Sequence, residues 1–264
     1  MDTKIDITGV PETMIQTLYA RAQESRRADH RIYDPKAIEI VDAIDYDFDN
    51  ASKDSIMSSG VIARTILLDN MVGSWLEEHP TSTVVNIACG LDMRCYRMGG
   101  EDTRWYNLDL PETIDIRQRF VTEDGRISMI AASAMDPAWV REVQTDGNPV
   151  LVIVEGLSMY LSQDDVRQML AVIHEGLPGA TVYLEFLNPR FVGKDVERSI
   201  KGSGASFTFG AKGGEELAAL VDGVAWEGDR SLAETMPQVS PSWRLVGWIP
   251  AVRHLSNKIA VLRA

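Results

Sequence analysis

A doubly wound α/β fold is predicted by the way short apolar runs alternate with helical stretches from residue 83 onward. The clearest unit is Val84-Val85-Asn86-Ile87, a buried-strand pattern that enters the small-residue turn Ala88-Cys89-Gly90. Leu91, Arg94, Cys95 and Met98 then recur at helical spacing. A second strand candidate, Arg104 to Leu108, ends at Asp109, nineteen residues after Gly90. In nucleotide-binding sheets that is the place of a carboxylate facing a ribose.

The remaining elements follow in order. Residues 1–80 form a helical N-terminal cap: Pro11-Glu12-Thr13-Met14 opens one helix, Pro35-Lys36-Ala37 a second, and Ser52 to Glu78 a third that stops at His79-Pro80. Residues 81–264 form the ligand-binding domain. Its strands are expected at 83–87, 104–108, 127–131, 149–154, 180–186, 224–229 and 258–262. Helices are expected near 91–98, 111–122, 137–144, 163–176 and 213–222. Right-handed crossovers would put a ligand at the carboxyl ends of the strands. Residues 188–212 and 231–253 break the alternation with Gly, Pro and aromatic residues and are expected to form lids over those ends.

Composition narrows the partners. The 264 residues carry a net charge of −13 and are 45% hydrophobic. An acidic chain argues against nucleic acid or an anionic membrane surface. No apolar run is long enough to span a bilayer, and the N-terminus has no signal-peptide pattern. Two cysteines, Cys89 and Cys95, make neither a disulfide framework nor a zinc site, so a cytoplasmic setting and no metal are expected. The oligomeric state is not legible from the chain.

The chemistry concentrates at three strand ends. At the first turn, Ala88 and Met93 stand where a dinucleotide motif would need glycine. Pyrophosphate demands close backbone approach, so this turn favours a cofactor whose near end carries no phosphate, such as a sulfonium, over NAD. Asp109 can accept hydrogen bonds from ribose hydroxyls or cap the helix opened by Pro111. The apolar strand Val152-Ile153-Val154 ends at Glu155-Gly156. A carboxylate there needs a partner, either the cationic end of a cofactor or the side chain of Arg64 or Arg94. Among the histidines none forms a metal-type pair; His30 and His254 lie in cap or lid segments from which a general base could reach a substrate, as could Tyr160.

These features together resemble the leucine carboxyl methyltransferase family, in particular its bacterial polyketide-type O-methyltransferases. The resemblance runs from Gly9-Val10-Pro11-Glu12-Thr13 through Asp34-Pro35-Lys36-Ala37, Arg64, Asn86 to Arg97, Asp109-Leu110-Pro111 and Asp136-Pro137-Ala138-Trp139 to Glu155-Gly156-Leu157-Ser158-Met159-Tyr160-Leu161. It implies a class I methyltransferase fold, Rossmann-like, with seven strands and the last one antiparallel, and S-adenosylmethionine as cofactor. By position it implies Arg64 at the cofactor's carboxylate, Ala88, Cys89 and Gly90 along the methionine moiety, and Asp109 with Leu110 at the ribose. It further implies Ser133 and Ala134 at the adenine and Glu155 at the methionine end. The sequence departs from the family's habit at Ala88, where Gly is usual, at Ser133, where an acid is usual, and at Met93, where Thr is commoner.

The expected activity is in-line methyl transfer to an oxygen, either a carboxylate or a phenolic hydroxyl of a small apolar or aromatic acceptor. A carboxylate is already ionised at neutral pH and needs no base, whereas a phenol with pKa near ~10 does. Phe191, Phe207, Phe209, Trp226 and Trp243, with Met14 and Tyr19, would line the acceptor side. Alternatives from other classes are an S-adenosylmethionine-binding protein without turnover, a nicotinamide-linked oxidoreductase and a methyltransferase acting on a protein tail.

Overall fold

The computed structural model describes residues 12–48, 55–193, 206–246, 249, 253 and 255–264. Its sheet contains β1 (Ser82–Ile87), β2 (Thr103–Asp109), β3 (Ile127–Ala131), β4 (Val150–Val154), β5 (Thr181–Phe186), β6 (Ala225–Ser231) and β7 (Lys258–Arg263). The order across the sheet is β3-β2-β1-β4-β5-β7-β6, and β7 runs antiparallel to both of its neighbours. This is the seven-stranded class I methyltransferase arrangement that the resemblance implied.

Strand register builds the functional edge. Ile87, the last residue of β1, lies level with Leu108 of β2 on one side and with Val154 of β4 on the other. The next residue of each chain is therefore Ala88, Asp109 and Glu155, at one edge and at the point where the strand order reverses. Open α/β sheets bind ligands in that crevice.

Alternate β-strand residues feed two cores, as a period of two requires. Val85, Ile87, Val152 and Val154 face a core shared with α6, Gln163–Gly176, which a Ser162/Asp165 capping box opens. Val84, Leu151 and Ile153 face the opposite core. There they meet α1 (Glu12–Ser25), α2 (Pro35–Ala43) and α3 (Ser55–Glu78) through Ile15, Leu18, Ile40, Leu67 and Val72. The N-terminal helices thus pack on one face of the sheet, which they share with residues such as Met93, Cys95 and Val121.

Several elements are shorter than their sequence patterns. The helix after the first turn is a single turn, α4, Arg94–Arg97. The helix expected near 91–98 is therefore corrected in length: Leu91 lies in turn, Asp92 and Met93 are irregular, and Gly99-Gly100 end the helix almost at once. Position 111–122 yields α5, Pro111–Arg117, while 137–144 is a 3₁₀ helix, Pro137–Glu142, and 213–222 yields only α7, Gly214–Ala218. Two further short helices, α8 (Met236–Val239) and α9 (Trp243–Val246), lie in the second expected lid. Of the first expected lid, residues 194–205 lie outside the described residues.

Candidate active site

The turn after β1 is held by its neighbour strand. Cys89 N–H donates to Leu108 O at 3.1 Å, prolonging the ladder by one bond. Ala88 and Gly90 both take left-handed backbone angles, with φ of 53° and 48°. Glycine adopts that region freely, whereas alanine is strained there. The glycine that the resemblance leads one to expect at position 88 would relax this angle, and Ala88 stores strain there. Met14 of α1 lies across the turn: a Cβ at Gly90 would come within 3.0 Å of its Sδ. Gly90→Ala is expected to cost about 1–2 kcal/mol from the backbone angle alone, plus crowding against Met14. In urea unfolding the loss should be smaller in a Met14→Ala background, because that part of the cost is shared between the two side chains.

Asp109 clasps the same turn. Its Oδ2 accepts from Gly90 N–H at 2.7 Å and its Oδ1 from Leu110 N–H at 2.8 Å. The helix-capping alternative is not what the structure shows: Leu110 is the N-cap of α5, and no side chain caps that end. Burial raises the Asp109 pKa, against the pull of the Gly90 and Leu110 N–H groups and the charge of Arg117. A carboxylate offers about four lone-pair directions, so acceptor capacity remains for a further donor. Beside it Leu110 is 46% exposed, an apolar surface at the lip of the crevice. Ala131, at the end of β3, is level with Asp109. Just beyond it Ser133 Oγ accepts from Met135 N–H at 3.3 Å, and buried Ala134 accepts from the Trp139 indole at 3.3 Å.

Behind the turn lies a dense charge network. Arg94, 1% exposed, pairs with Asp69 at 2.7 Å, Asp92 at 2.6 Å and Glu155 at 2.9 Å. Arg97 joins Asp69 at 3.0 Å and Asp34 at 2.8 Å, and Asp34 also meets Arg21 at 3.3 Å. Arg64 bridges Glu155 at 2.7 Å and Glu185 at 3.1 Å. Glu185 in turn accepts Gly156 N–H at 2.8 Å. Burial pushes the carboxyls of Asp69, Asp92 and Glu155 up, yet the neighbouring arginines win and hold all three below their ordinary range. Glu155 is thus an ion-paired carboxylate, partnered by both arginines that the sequence offered.

The network contains residues that sequence reasoning missed. Asp69 carries no local signal, whereas Asp92 lies inside the motif Asn86 to Arg97. Glu185 had a usable signal, being a carboxylate inside the apolar run Thr181 to Phe186, where a buried charge must find a partner.

The candidate bases that are described stand in different surroundings. Tyr160 sits in the turn after Glu155-Gly156, half-buried, with its ring 5.4 Å from Phe207. His30 is exposed between α1 and α2, with Nδ1 3.0 Å from Arg27 O and its ring against Tyr33. His254 lies outside the described residues. The aromatic set also divides. Phe207 and Phe191 join Met159 and Leu187 in a small apolar cluster, whereas Phe209 belongs to the main core. Tyr19 stacks on Phe48 at 4.6 Å, Trp226 is exposed on the edge strand β6, and Trp243 is half-buried in α9. Trp226 lies in the strand expected at 224–229, level with Leu262 and through it with Val182 near the start of β5, away from the carboxyl edge where it was expected to line the acceptor side.

The residues present fit an S-adenosyl group. The left-handed turn presents main chain where a side chain would crowd, Asp109 keeps free acceptor capacity, and Leu110 offers an exposed apolar face. Arg64 and Glu155, paired with each other at 2.7 Å, set charges of both signs at the carboxyl end of β4. Among the described residues no cluster of His, Cys, Asp and Glu has the makings of a metal site, and no helix is long and apolar enough to cross a membrane.

Comparisons agree with this geometry. The family model described as leucine carboxyl methyltransferase matches residues 14–174. The tetracenomycin polyketide synthesis O-methyltransferase TcmP of Streptomyces glaucescens is 33% identical over 258 residues, covering 95% of this chain and 93% of that one. The S-adenosyl-L-methionine-dependent methyltransferase dpfgK of Gibberella zeae is 32% identical over 183 residues, 63% of this chain and 61% of that one. Among solved structures, a candidate methyltransferase from Thermobifida fusca superposes with a TM-score of 0.58 at 16% identity, covering 92% of this chain and 93% of that one.

Proposed function

The chain belongs to the leucine carboxyl methyltransferase family and is an S-adenosylmethionine-dependent O-methyltransferase, and from that premise we propose that its acceptor is a small apolar or aromatic molecule of polyketide type, methylated on a carboxylate or an acidic phenol. The observation that carries this reading is the apolar cluster next to Glu155-Gly156. Buried Met159, Leu187 and Phe207, with half-buried Tyr160 and Phe191, gather at the carboxyl ends of β4 and β5. Thr208 N–H donates to Met159 O at 2.8 Å, tying the segment after residue 205 to the Ser158–Tyr160 turn. Such a wall suits a flat apolar substrate and excludes water from the reacting oxygen.

In this reading Asp109 with Leu110 would hold the ribose, Ser133 and Ala134 would edge the adenine, and Ala88, Cys89 and Gly90 would line the methionine chain. Arg64 would hold the cofactor's carboxylate and Glu155 its ammonium. The bound cofactor supplies an electrophilic methyl group on a sulfonium. The protein's part is to orient the acceptor oxygen toward it and keep water out. For a carboxylate acceptor no residue needs to take a proton. For a phenol, Tyr160, beside Glu155-Gly156, would be asked to receive one. The two protein regions we expect to shape the acceptor side are the cap, 1–80, and the lids near 188–212 and 231–253 of the domain 81–264. Two free buried cysteines suit the cytoplasmic setting we place it in.

The test is incubation with methyl-labelled S-adenosylmethionine and a panel of aromatic polyketide acids and phenols, read by mass spectrometry. Labelled ester or ether is expected. The rate between about pH 6 and pH 8 should be flat for an acid and rise with pH for a phenol. Binding of S-adenosylhomocysteine without labelled product from either class would sink the acceptor assignment.

A further inference from the structure

We infer that Arg117 is a positioning residue for cofactor binding, holding the Gly90 turn in shape from the side opposite its N–H clasp. The inference rests on assigning that turn to the cofactor. Arg117 ends α5 and is fully buried. Its Nη1 donates to Gly90 O and to Asp92 O, both at 2.8 Å, and its Nη2 lies 3.7 Å from Cys95 Sγ. Among the described residues no carboxylate lies within ion-pair distance of it, unlike Arg21, Arg64, Arg94 and Arg97. Burying a guanidinium is costly, and here the charge is spent on two main-chain carbonyls.

Those carbonyls belong to the turn itself. Asp109 takes the Gly90 N–H and Arg117 takes the Gly90 carbonyl, so both peptide groups flanking Gly90 are held by one β2–α5 unit. The turn needs such support, because Ala88 and Gly90 are both left-handed and α4, a single turn, cannot brace it. Strained backbone persists only where its surroundings over-determine it. Nη1 alone serves both carbonyls with its two N–H bonds, and the planar guanidinium, with Nη2 set toward Cys95, fixes their directions, whereas the ammonium of lysine rotates freely. Arg117 has no assigned contact with cofactor or acceptor, and it acts through the main chain of residues 90–92.

The experiment uses Arg117→Lys and Arg117→Met. First, hydrogen exchange without ligand is followed over residues 86–95. Second, S-adenosylhomocysteine affinity is measured by calorimetry. Third, kcat and KM are measured separately. Exchange across the turn is expected to quicken about tenfold in Arg117→Met while β5 and α6 stay unchanged. Affinity should fall roughly 10- to 100-fold, with KM for S-adenosylmethionine rising in step and kcat at saturation within about threefold of wild type. Arg117→Lys should recover part of each loss. If Arg117→Met does not fold, Arg117→Lys carries the test alone. Unchanged exchange and affinity in a folded variant overturns the inference. Failure of wild type to bind S-adenosylhomocysteine overturns the cofactor assignment instead, and the exchange arm still reports whether Arg117 holds the turn.

Discussion

Asp109→Ala is expected to weaken binding of S-adenosylmethionine and S-adenosylhomocysteine at least a hundredfold in calorimetric titration, while the protein stays folded. Two losses combine. In the cofactor reading the ribose hydroxyls lose a charged acceptor, at about 1.5–3 kcal/mol for each such hydrogen bond. The Gly90 N–H also loses its partner, so the turn loosens as the ligand contact disappears. Every 1.4 kcal/mol is about tenfold in affinity, and two charged hydrogen bonds therefore exceed the hundredfold mark. Asp109→Asn should fall between, because the amide oxygen can accept one N–H while its NH₂ opposes another donor. An Ala variant within threefold of wild type would remove Asp109 from the ribose position. The side chain is half-buried and makes no ion pair within the Arg94 network, so a folding defect is not the expected cause.

Arg94→Met carries the largest expected cost in stability. The guanidinium is the common partner of Asp69, Asp92 and Glu155. Removing it leaves three carboxylates short of charge compensation, and breaking a buried ion pair costs about 3–5 kcal/mol. For a chain of this size that corresponds to a fall of roughly 10 °C in the unfolding midpoint. Arg94→Lys should lose less, since the charge remains but the fork that reaches three acids is gone.

The sign of the pH dependence follows from the same residues. In the wild type the three carboxyls are held below their unfolded values. Their contribution to stability is fully present above the unfolded range, near ~4, and is lost as pH falls through the lower folded values. Without Arg94 the folded carboxyls protonate at higher pH. The stability gap between wild type and Arg94→Met should therefore be widest at neutral pH and narrow as the solution is acidified, measured by urea unfolding across that range. A gap that stays constant or widens in acid would show that the network does not carry the difference.

The network also explains how the cap reaches the site. Asp34 is completely buried, caps α2 through Ala37 N–H at 3.0 Å, and pairs with Arg21 of α1 and Arg97 of α4. Arg21 Nη2 in turn donates to Leu91 O at 2.9 Å, one residue past Gly90. A helix that lays Met14 across the turn is thus joined to it by charge as well as by packing.

What the linear order of residues determined by itself was local. Short apolar runs made β1 to β5 and β7 legible to within a residue or two, because a strand buried on both faces needs little beyond a run of apolar residues. The turn at Gly90, the acid at Asp109 and the acid at Glu155 were legible because each ends such a run. The family's antiparallel last strand was legible only through the resemblance. The tertiary structure decided what periodicity does not encode. It chose the partners of the arginines of α4, which pair with Asp34 and Asp69, far away in sequence. It placed Glu185 beside Arg64, and Arg117 beneath the Gly90 carbonyl, through contacts spanning 121 and 27 residues. Electrostatic partners are chosen by proximity in space, and proximity across a parallel sheet comes from strand order, which local sequence does not specify.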